Sequence, residues 1–287
     1  MSDQPVAGVV QSLWRYPVKS MMGEAVDLTR ILESGLQADR AYALVDKSDG
    51  KVATAKNPRK WPHLFAFRAA CVEPLPSAAI VPPIRITLPD GGVVTERQPD
   101  IDQVLSKALN RDVTLAAIRP SLAAATRSSA ITSSGKAEEY WPDVEGLDIR
   151  DAVTDFELLR GTFFDCATIH VLAATTIERL RSFYPEGRFE VARFRPNIVL
   201  DSVGVRDTFV EDSWIGRTMA IGDEVRLKIT GRCGRCVMTT LPQGDLPGDR
   251  GILRTAVQHH RANVGAYATV LRGGTVRRGD RVTLDAD

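Results

Sequence analysis

The chain has 287 residues, of which 44% are hydrophobic and 25% are charged, and its formal net charge is +1. This length allows one large or two modest domains with a substantial core, and the balanced charge offers no overall basic field for nucleic acid. No stretch approaches about 18 consecutive apolar residues, and the start of the chain lacks the apolar segment of a secretory signal, so we predict a cytoplasmic protein without a membrane span.

The first hundred residues have the pattern of a β-rich domain. Residues 9–16 alternate in character and predict a strand. Two turn sequences, Asp-Gly and Pro-Asp-Gly-Gly, predict two hairpins. The hairpins join strand 41–45 to strand 51–55, and strand 84–88 to strand 93–95.

A short helix and a linker follow. Apolar side chains at helical spacing predict a helix over 102–109. Residues 121–150 are rich in Ser, Ala, Thr and charged side chains without a sustained period, which predicts a linker or long loop. We therefore predict an N-terminal domain over 1–120 and a second domain over 151–287.

The second half alternates short strand-like segments with two helical ones. Thr175 or Thr176 is predicted to cap the first helix, which runs to Phe183. The remaining predictions are a helix over 252–260 and strands at 169–172, 189–200, 266–271 and 281–284, with two more inside 214–229. Many short strands and few helices predict a β-rich α+β fold with two β-barrel-like domains and short appended helices.

The segment Arg193-Phe194-Arg195-Pro196-Asn197 leads into an apolar run. If it is extended, residues two apart share a face, so Arg193, Arg195 and Asn197 point the same way. Guanidinium groups suit bidentate recognition of phosphate. A solvated basic strand face is the alternative, although the apolar run that follows favours burial.

About forty residues later, Cys233-Gly234-Arg235-Cys236 places thiols among cations. Arg232 and Arg235 favour the thiolate form. A structural zinc needs about four ligands, but there is no second such motif, and His259 and His260 are unconvincing partners. A thioredoxin-type dithiol belongs in a βαβ unit, which is missing here. A single reactive or metal-ligating cysteine is the better functional interpretation, and two ordinary cysteines remain the plain one.

Polar side chains also stand at the ends of other predicted strands. A lysine and a hydroxyl in a turn can bind a phosphate or a polar heterocycle, although most such residues are solvated. The charge of Lys56 is predicted to be mostly solvated, and His170 is predicted to be a core histidine. The candidate binding residues at these strand ends are Lys19, Ser20, Arg40, Asp165 and Thr168.

Taken together, these motifs resemble the MOSC superfamily, the C-terminal domain of molybdenum cofactor sulfurases, preceded by its N-terminal β-barrel domain. Their order is most similar to that of the mitochondrial amidoxime-reducing components. The resemblance spans about residues 7–285. The matching segments are Tyr16-Pro17-Val18-Lys19-Ser20, Asp39-Arg40, Thr54-Ala55-Lys56, Arg195-Pro196-Asn197, and Cys233 to Thr240.

The resemblance implies a molybdenum cofactor (Mo-molybdopterin) in a cleft between the two domains. Cys236 is the implied molybdenum ligand and catalytic residue, with Cys233 as a neighbour. Residues implied to hold the pterin and phosphate are Arg195 and Asn197, reached from the N-terminal domain by Lys19, Ser20 and Arg40, with Asp165 and Thr168 nearby. The adjacent cations Arg193 and Arg235 complete the predicted cofactor-binding set.

The implied activity is the two-electron reduction of small N-hydroxylated substrates. The chain has no cysteine cluster for an iron–sulfur centre, so we expect a separate electron-transfer protein. One alternative is a sulfur-carrier or sulfur-transfer protein with a persulfide on Cys236. Another is a module that stores or hands over the cofactor without turnover.

Overall fold

A computed structural model describes residues 6–75, 81–118, 135–146, 151–202 and 208–285, which form a β-rich α+β structure. The helices are α1 (Ile101–Leu109), α2 (Ala174–Phe183), α3 (Val191–Phe194) and α4 (Arg250–His260). The strands are β1 (Val6–Arg15), β2 (Glu24–Val26), β3 (Leu28–Leu32), β4 (Gly35–Leu36), β5 (Tyr42–Asp46), β6 (Arg68–Cys71), β7 (Ile84–Thr87), β8 (Val93–Thr95), β9 (Val113–Ala117), β10 (Lys136–Trp141), β11 (Ala152–Glu157), β12 (Ile169–Ala173), β13 (Ile198–Ser202), β14 (Thr218–Ile221), β15 (Val225–Gly234), β16 (Asn263–Arg272), β17 (Gly274–Arg277) and β18 (Arg281–Leu284).

Seven strands close into a barrel in the spatial order β1, β13, β12, β16, β15, β14 and β18. Strand β1 completes the ring, because it pairs with β13 on one side and with β18 on the other, as in the registers Val10↔Leu200 and Val9↔Arg281. The β12–β13 pairing is parallel and the other six pairings are antiparallel. An early strand therefore closes a barrel that is otherwise built from residues after 168.

The barrel core follows from the two-residue period of its strands. In β15 the side chains of Val225, Leu227 and Ile229 are buried, while Arg226 and Lys228 between them remain partly exposed. Alternation of this kind points one set of side chains inward and the other toward water. The predicted strand pair within 214–229 is thereby confirmed as β14 and β15.

Of the remaining strands, β2 pairs with β1 and the others form smaller sheets. The sheet β17–β3–β4 packs on the barrel core through Ile31, Leu36 and Val276, whereas β5–β9 and β6–β7–β8 pack on a second hydrophobic core. The sheets are β5–β9, β10–β11, β6–β7–β8 and β17–β3–β4. The second core includes Phe67, Leu105 and Met21. Among the described residues the ladders close one barrel, so the two-barrel architecture and the domain boundaries stay predictions.

The first half confirms some predicted elements and corrects others. The helix over 102–109 is confirmed as α1, and the second hairpin is confirmed as β7–β8. The first predicted hairpin is confirmed at its turn, where Val45 pairs with Val52 and the Ala53 N–H donates to Leu44 O at 2.8 Å, but β5 pairs along its full length with β9 instead of with the returning chain.

The predicted linker over 121–150 contains a strand. Its residues 136–141 form β10, which pairs with β11 from Lys136↔Glu157 to Trp141↔Ala152. The linker prediction is therefore wrong for this segment. Residues 119–134 and 147–150 lie outside the described part of the chain.

Helix α2 begins differently from the prediction. Its N-cap residue Ala173 provides no side-chain cap, and Thr176 instead donates its hydroxyl to the buried carboxylate of Glu211. The same carboxylate accepts the backbone N–H of Ala173 at 2.9 Å. A residue distant in sequence thus satisfies donors at this helix start that local capping leaves open. In the described ranges, no helix has the length and apolar character needed to cross a membrane.

Gly265 allows β16 to pass close to β12, and we expect its replacement to destabilise the barrel. Its φ is +85°, and a Cβ there lies 2.2 Å from His170 Nε2. Gly279 is a matched control, since its φ is +90° and a Cβ there meets nothing within 4 Å. We expect Gly279→Ala to cost about 1–2 kcal/mol from backbone strain, and Gly265→Ala about 1–3 kcal/mol more from overpacking. Urea unfolding measures both; equal losses would contradict the steric argument.

Candidate functional site

Cys236 follows the barrel strand β15 and packs against the second hydrophobic core. It begins a short 3₁₀ helix, Val237–Thr240, and its side chain is partly buried. Its carbonyl accepts bonds from the backbone N–H of Thr239 at 3.2 Å and from the Thr239 hydroxyl at 3.1 Å. Met238 packs into the second core, which also contacts Cys236. The thiol is therefore held on a defined turn between the barrel and the second core.

Four charged side chains of alternating sign lead toward this thiol. Lys19 donates from Nζ to the Asp165 carboxylate and to Phe163 O at 2.9 Å. Lys56 Nζ lies 3.3 Å from Asp165 Oδ2 and 3.1 Å from Glu139 Oε1. Opposite charges at these distances stabilise one another, and Lys19 and Lys56 are largely buried.

The pKa values of these groups record the pairing. Burial opposes ionisation of Asp165, but the ammonium groups of Lys19 and Lys56 outweigh it and hold the pKa of Asp165 well below its usual range. Burial also opposes the charge on Lys56, but Asp165, Cys236 and Glu139 raise its pKa. For Lys19, burial prevails over Asp165 and lowers the pKa. A ligand that binds beside Cys236 therefore faces charged side chains that are already held in place by ion pairs.

Two residues of this array, Lys56 and Glu139, were not predicted as site residues from the sequence. Lys56 was predicted to be mostly solvated, which is wrong, because its side chain is 11% exposed and interacts electrostatically with Cys236. Glu139 belongs to β10, inside the predicted linker. Lys56 could have been found from its segment Thr54-Ala55-Lys56, which carries part of the family resemblance, whereas nothing in the sequence indicated Glu139.

A second group of cations lies around the Tyr16 ring. The guanidinium carbons of Arg195 and Arg40 lie 4.1 and 4.8 Å from the ring centroid, as in cation–π contacts. Burial, followed by the charge of Arg40, lowers the pKa of Arg195 to about 10. Arg195 also interacts with Asp165, which joins this group to the array beside Cys236. The Tyr16 hydroxyl is buried without a hydrogen-bond partner in the described part of the chain.

Asp39 connects the Tyr16 platform, that is, the Tyr16 ring with Arg195 and Arg40 over it, to the barrel. It accepts the Tyr16 backbone N–H at 2.7 Å and Asn197 Nδ2 at 2.8 Å, and it pairs with Arg40. The Asn197 amide oxygen accepts the backbone N–H of His170 at 3.0 Å. Both ends of the Asn197 amide thus serve the protein itself, and its predicted contact with the cofactor stays a prediction.

The segment before Asn197 is not the extended strand that the sequence predicted. Residues 191–194 form α3, Arg195 has a left-handed backbone with φ 51°, and β13 begins only at Ile198. The prediction that Arg193, Arg195 and Asn197 share one strand face is therefore wrong. Arg195 reaches Tyr16, whereas Arg193 points to the loop after Cys236 and donates to Thr239 O at 3.2 Å.

Cys233 occupies a separate buried pocket of hydrogen-bond donors. Arg235 Nη1 lies 2.7 Å from its sulfur, and the His170 and Tyr267 side chains also interact with it. Burial disfavours the thiolate, but Arg235 and His170 outweigh it and lower the pKa of Cys233 to about 6. For Cys236, burial prevails and raises the pKa.

The surroundings of Cys233 settle two sequence predictions. His170 is the predicted core histidine, because it is buried and its Nε2 lies 3.1 Å from Val264 O. Arg232 does not favour the thiolate as predicted, because it is exposed and pairs with Asp212 at 2.7 Å. No group of three or more potential metal-ligating side chains occurs in the described residues.

We expect the Cys233 thiol of the cofactor-free protein to ionise near pH 6. Because its folded-state pKa lies below that of an unfolded thiol, it stabilises the fold above the unfolded-state pKa, and this contribution is lost as pH falls through about 6. Between the two pKa values, wild type should gain about 1 kcal/mol per pH unit over Cys233→Ser. Thiolate absorbance and urea unfolding measure both effects, with Cys166→Ser as the exposed control; a pH-independent difference would contradict the pairing.

The structure brings most predicted site residues together, whereas Arg193 points away from them and two others lie at the margin. Ser20 serves the turn itself, since its hydroxyl accepts the Ala55 N–H at 3.0 Å. Thr168 packs against Gly35, where an added Cβ would lie 2.9 Å from the Thr168 carbonyl oxygen. The group around Tyr16, Asp165 and Cys236 comprises Lys19, Arg40, Arg195 and Arg235. The roles of all these residues toward a cofactor stay predictions.

Residues 159–283 match the family model described as "MOSC domain", and residues 7–79 match the model described as "MOSC N-terminal beta barrel domain". Mitochondrial amidoxime-reducing component 1 of Mus musculus is 26% identical over 300 residues, covering 96% of this chain and 82% of that protein. Its Homo sapiens counterpart is 24% identical over 326 residues, covering 96% and 83%. Among solved structures, the YUAD protein from Bacillus subtilis has a TM-score of 0.46 at 11% identity, covering 96% of this chain and 94% of that one.

Proposed function

We propose that this chain, which belongs to the MOSC family through a MOSC N-terminal β-barrel domain and a MOSC domain, binds a molybdenum cofactor and reduces small N-hydroxylated compounds. The proposal rests chiefly on one observation: the partly buried Cys236 thiol stands beside an array of buried cations. The likeness to amidoxime-reducing components supports the substrate class. Electrons come from a separate donor protein.

The donor set suits an anionic, phosphate-bearing ligand with a soft metal. In the described part of the chain, the Arg195 guanidinium makes one hydrogen bond, from Nη1 to Met21 O at 2.6 Å, which leaves its other donors for an anion. The Tyr16 ring, whose hydroxyl is unpartnered among the described residues, lies under the same guanidinium. Cys236 supplies the thiolate sulfur that soft metals prefer. Arg195, Arg40 and Lys19 would hold the phosphate and pterin portions.

When bound, the cofactor would supply the two-electron redox chemistry, which the protein positions and tunes. Reduction of an N–OH group consumes two electrons and two protons and yields N–H and water. Lys56 and Glu139, which pair beside Cys236, would fix the charge around the reacting group. The buried platform of Tyr16 and Phe65 under Arg195 would exclude water from the phosphate side.

The test is molybdenum content by elemental mass spectrometry, for protein made in cells that synthesise the cofactor. We expect near-stoichiometric metal in wild type and most of it lost in Arg195→Ala, because a buried guanidinium is removed. Arg59→Ala, at an exposed surface pair with Asp151, is the control that should retain the metal. The metal-containing protein should then reduce an amidoxime with an artificial electron donor.

Two results would contradict the proposal. Absence of molybdenum from wild type in a cofactor-sufficient host would exclude the enzyme, and a mass gain of one sulfur on Cys236 would then support a sulfur carrier. Bound molybdenum without turnover by any donor would instead support a cofactor-storage module.

A further inference from the structure

The side chain of Arg193, on helix α3, contacts the loop that follows Cys236. The Arg193 side chain is fully buried. Its Nη1 donates to the carbonyls of Thr239 and Leu241, both at 3.2 Å, and its Nη2 donates to Pro247 O at 2.7 Å. A planar guanidinium can bridge several carbonyls in this way because its donors point outward in a fixed fork.

The segment that carries Cys236 contacts helix α3 in turn through Arg235. Arg235 donates from Nη2 to Phe194 O, the last carbonyl of α3, at 2.9 Å. Its backbone N–H donates to Ala262 O at 2.7 Å, and Cys233 holds its Nη1. The two segments are therefore joined in both directions by charged donors on neutral carbonyls.

These two arginine contacts hold the turn that carries the Cys236 thiol. Thr239, whose carbonyl Arg193 holds, also closes the turn on Cys236 through its backbone N–H and its hydroxyl. On the other side, Arg193 lies two residues before Arg195, which reaches the Tyr16 platform. One side chain thus links the turn that presents the thiol to the segment that presents the phosphate-binding cation.

The bonds to the protein use four of the five N–H donors of the Arg193 guanidinium. Its Nε donates to Arg188 O at 2.8 Å, so all three nitrogens are bonded to backbone carbonyls of the described chain. A phosphate could make a bidentate contact with Arg193 only by displacing one of these bonds and leaving a buried carbonyl unpaired, which is costly.

We propose that Arg193 is a positioning residue that fixes the Cys236 turn against the Arg195 segment without itself contacting the cofactor. This differs from the predicted cofactor contact. The inference rests on the proposed function only in taking Cys236 as the ligand. The clamp, by which we mean the bonds from Arg193 to the carbonyls of the 239–247 loop, is a property of the cofactor-free protein.

The test measures alkylation of individual thiols in the cofactor-free protein by iodoacetamide and peptide mass spectrometry. We expect Arg193→Gln to alkylate Cys236 about tenfold faster than wild type, because the turn opens more often. Cys71, buried in the second core, reports global unfolding and should stay as slow as in wild type. Arg193→Lys keeps the charge and part of the bonding, so its rate should lie between the two.

Arg188→Gln is the matched control. Arg188 reaches the same loop at Asp245, with Nη2 and Oδ2 3.0 Å apart, but its side chain is 45% exposed. We expect its Cys236 rate to stay within about twofold of wild type. In protein loaded with molybdenum, Arg193→Gln should lose metal and Arg188→Gln should keep it.

A wild-type Cys236 rate in Arg193→Gln, with Cys71 protected, would overturn the proposal. If Cys71 also reacts in Arg193→Gln, the Cys236 rate of Arg193→Lys is compared with that of wild type instead, and a wild-type rate there overturns the proposal. If wild type binds no molybdenum, the proposed function fails while the alkylation ratio still decides the clamp, so the two failures are distinguishable.

Discussion

Replacing Cys236 with serine is expected to reduce molybdenum-dependent turnover of an amidoxime more than about 100-fold, since loss even of outer-shell partners costs 10–100-fold. A serine hydroxyl is a harder and weaker ligand than a thiolate for a soft metal. The measurement is kcat/KM with an artificial electron donor, together with metal content, for wild type and the variant.

Cys233→Ser is the matched control for this experiment. Cys233 is 1% exposed and its sulfur faces Arg235, so it is predicted to support the site rather than bind the metal. We expect a smaller loss of activity than in Cys236→Ser. Equal losses in the two variants would contradict a single-ligand site and favour a dithiol.

Replacing Asp39 with alanine is expected to lower the free energy of unfolding by about 3–5 kcal/mol, as for other buried charge pairs that lose one partner. The Asp39 side chain is fully buried and accepts from Tyr16 N, Asn197 Nδ2 and Arg40. Its removal leaves these donors unpaired and takes away a counter-charge of the Arg40 and Arg195 guanidinium groups. Urea unfolding of wild type and Asp39→Ala measures the effect.

Asp49→Ala controls for the loss of an ordinary carboxylate. Asp49 pairs with Lys60 at 2.7 Å, but its side chain is 32% exposed. We expect a loss below about 1 kcal/mol, typical of surface pairs. If the two variants lose the same small amount, Asp39 does not hold the platform together.

Most barrel strands could be predicted because they carry an alternating pattern, as in β15, or a short apolar run, as in β12. The segment 189–200 could not, because its conformation depends on distant residues. Four residues form too short a helix to be stable by propensity. What favours α3 is tertiary: the Arg193 bonds to three carbonyls of the 239–247 loop and the Arg235 bond to Phe194 O. The sequence shows none of these partners.

The candidate site divides in the same way. Residues in recognisable motifs, such as Lys19 and Arg195, were predicted as candidates, and the structure places them in one group. Glu139 was missed because β10 is placed at the site by partners distant in sequence, namely β11, the Val52↔Ala137 bridge and the ion pair of Glu139 with Lys56. The predicted facing of Arg193 was wrong because a two-residue period holds only while the chain is extended.

The closure of the barrel by β1 has a consequence for how the chain acquires its structure. During synthesis β1 emerges early, but its partners β13 and β18 lie about 190 and 270 residues later in the chain. Contacts of such wide sequence separation form slowly and expose unpaired edges while they are awaited. A fragment restricted to residues 159–283 would leave the edges of β13 and β18 open to pairing with other chains. Moving β1 by circular permutation to follow β18 through a short linker would turn this distant closure into a local one, and refolding should then be faster.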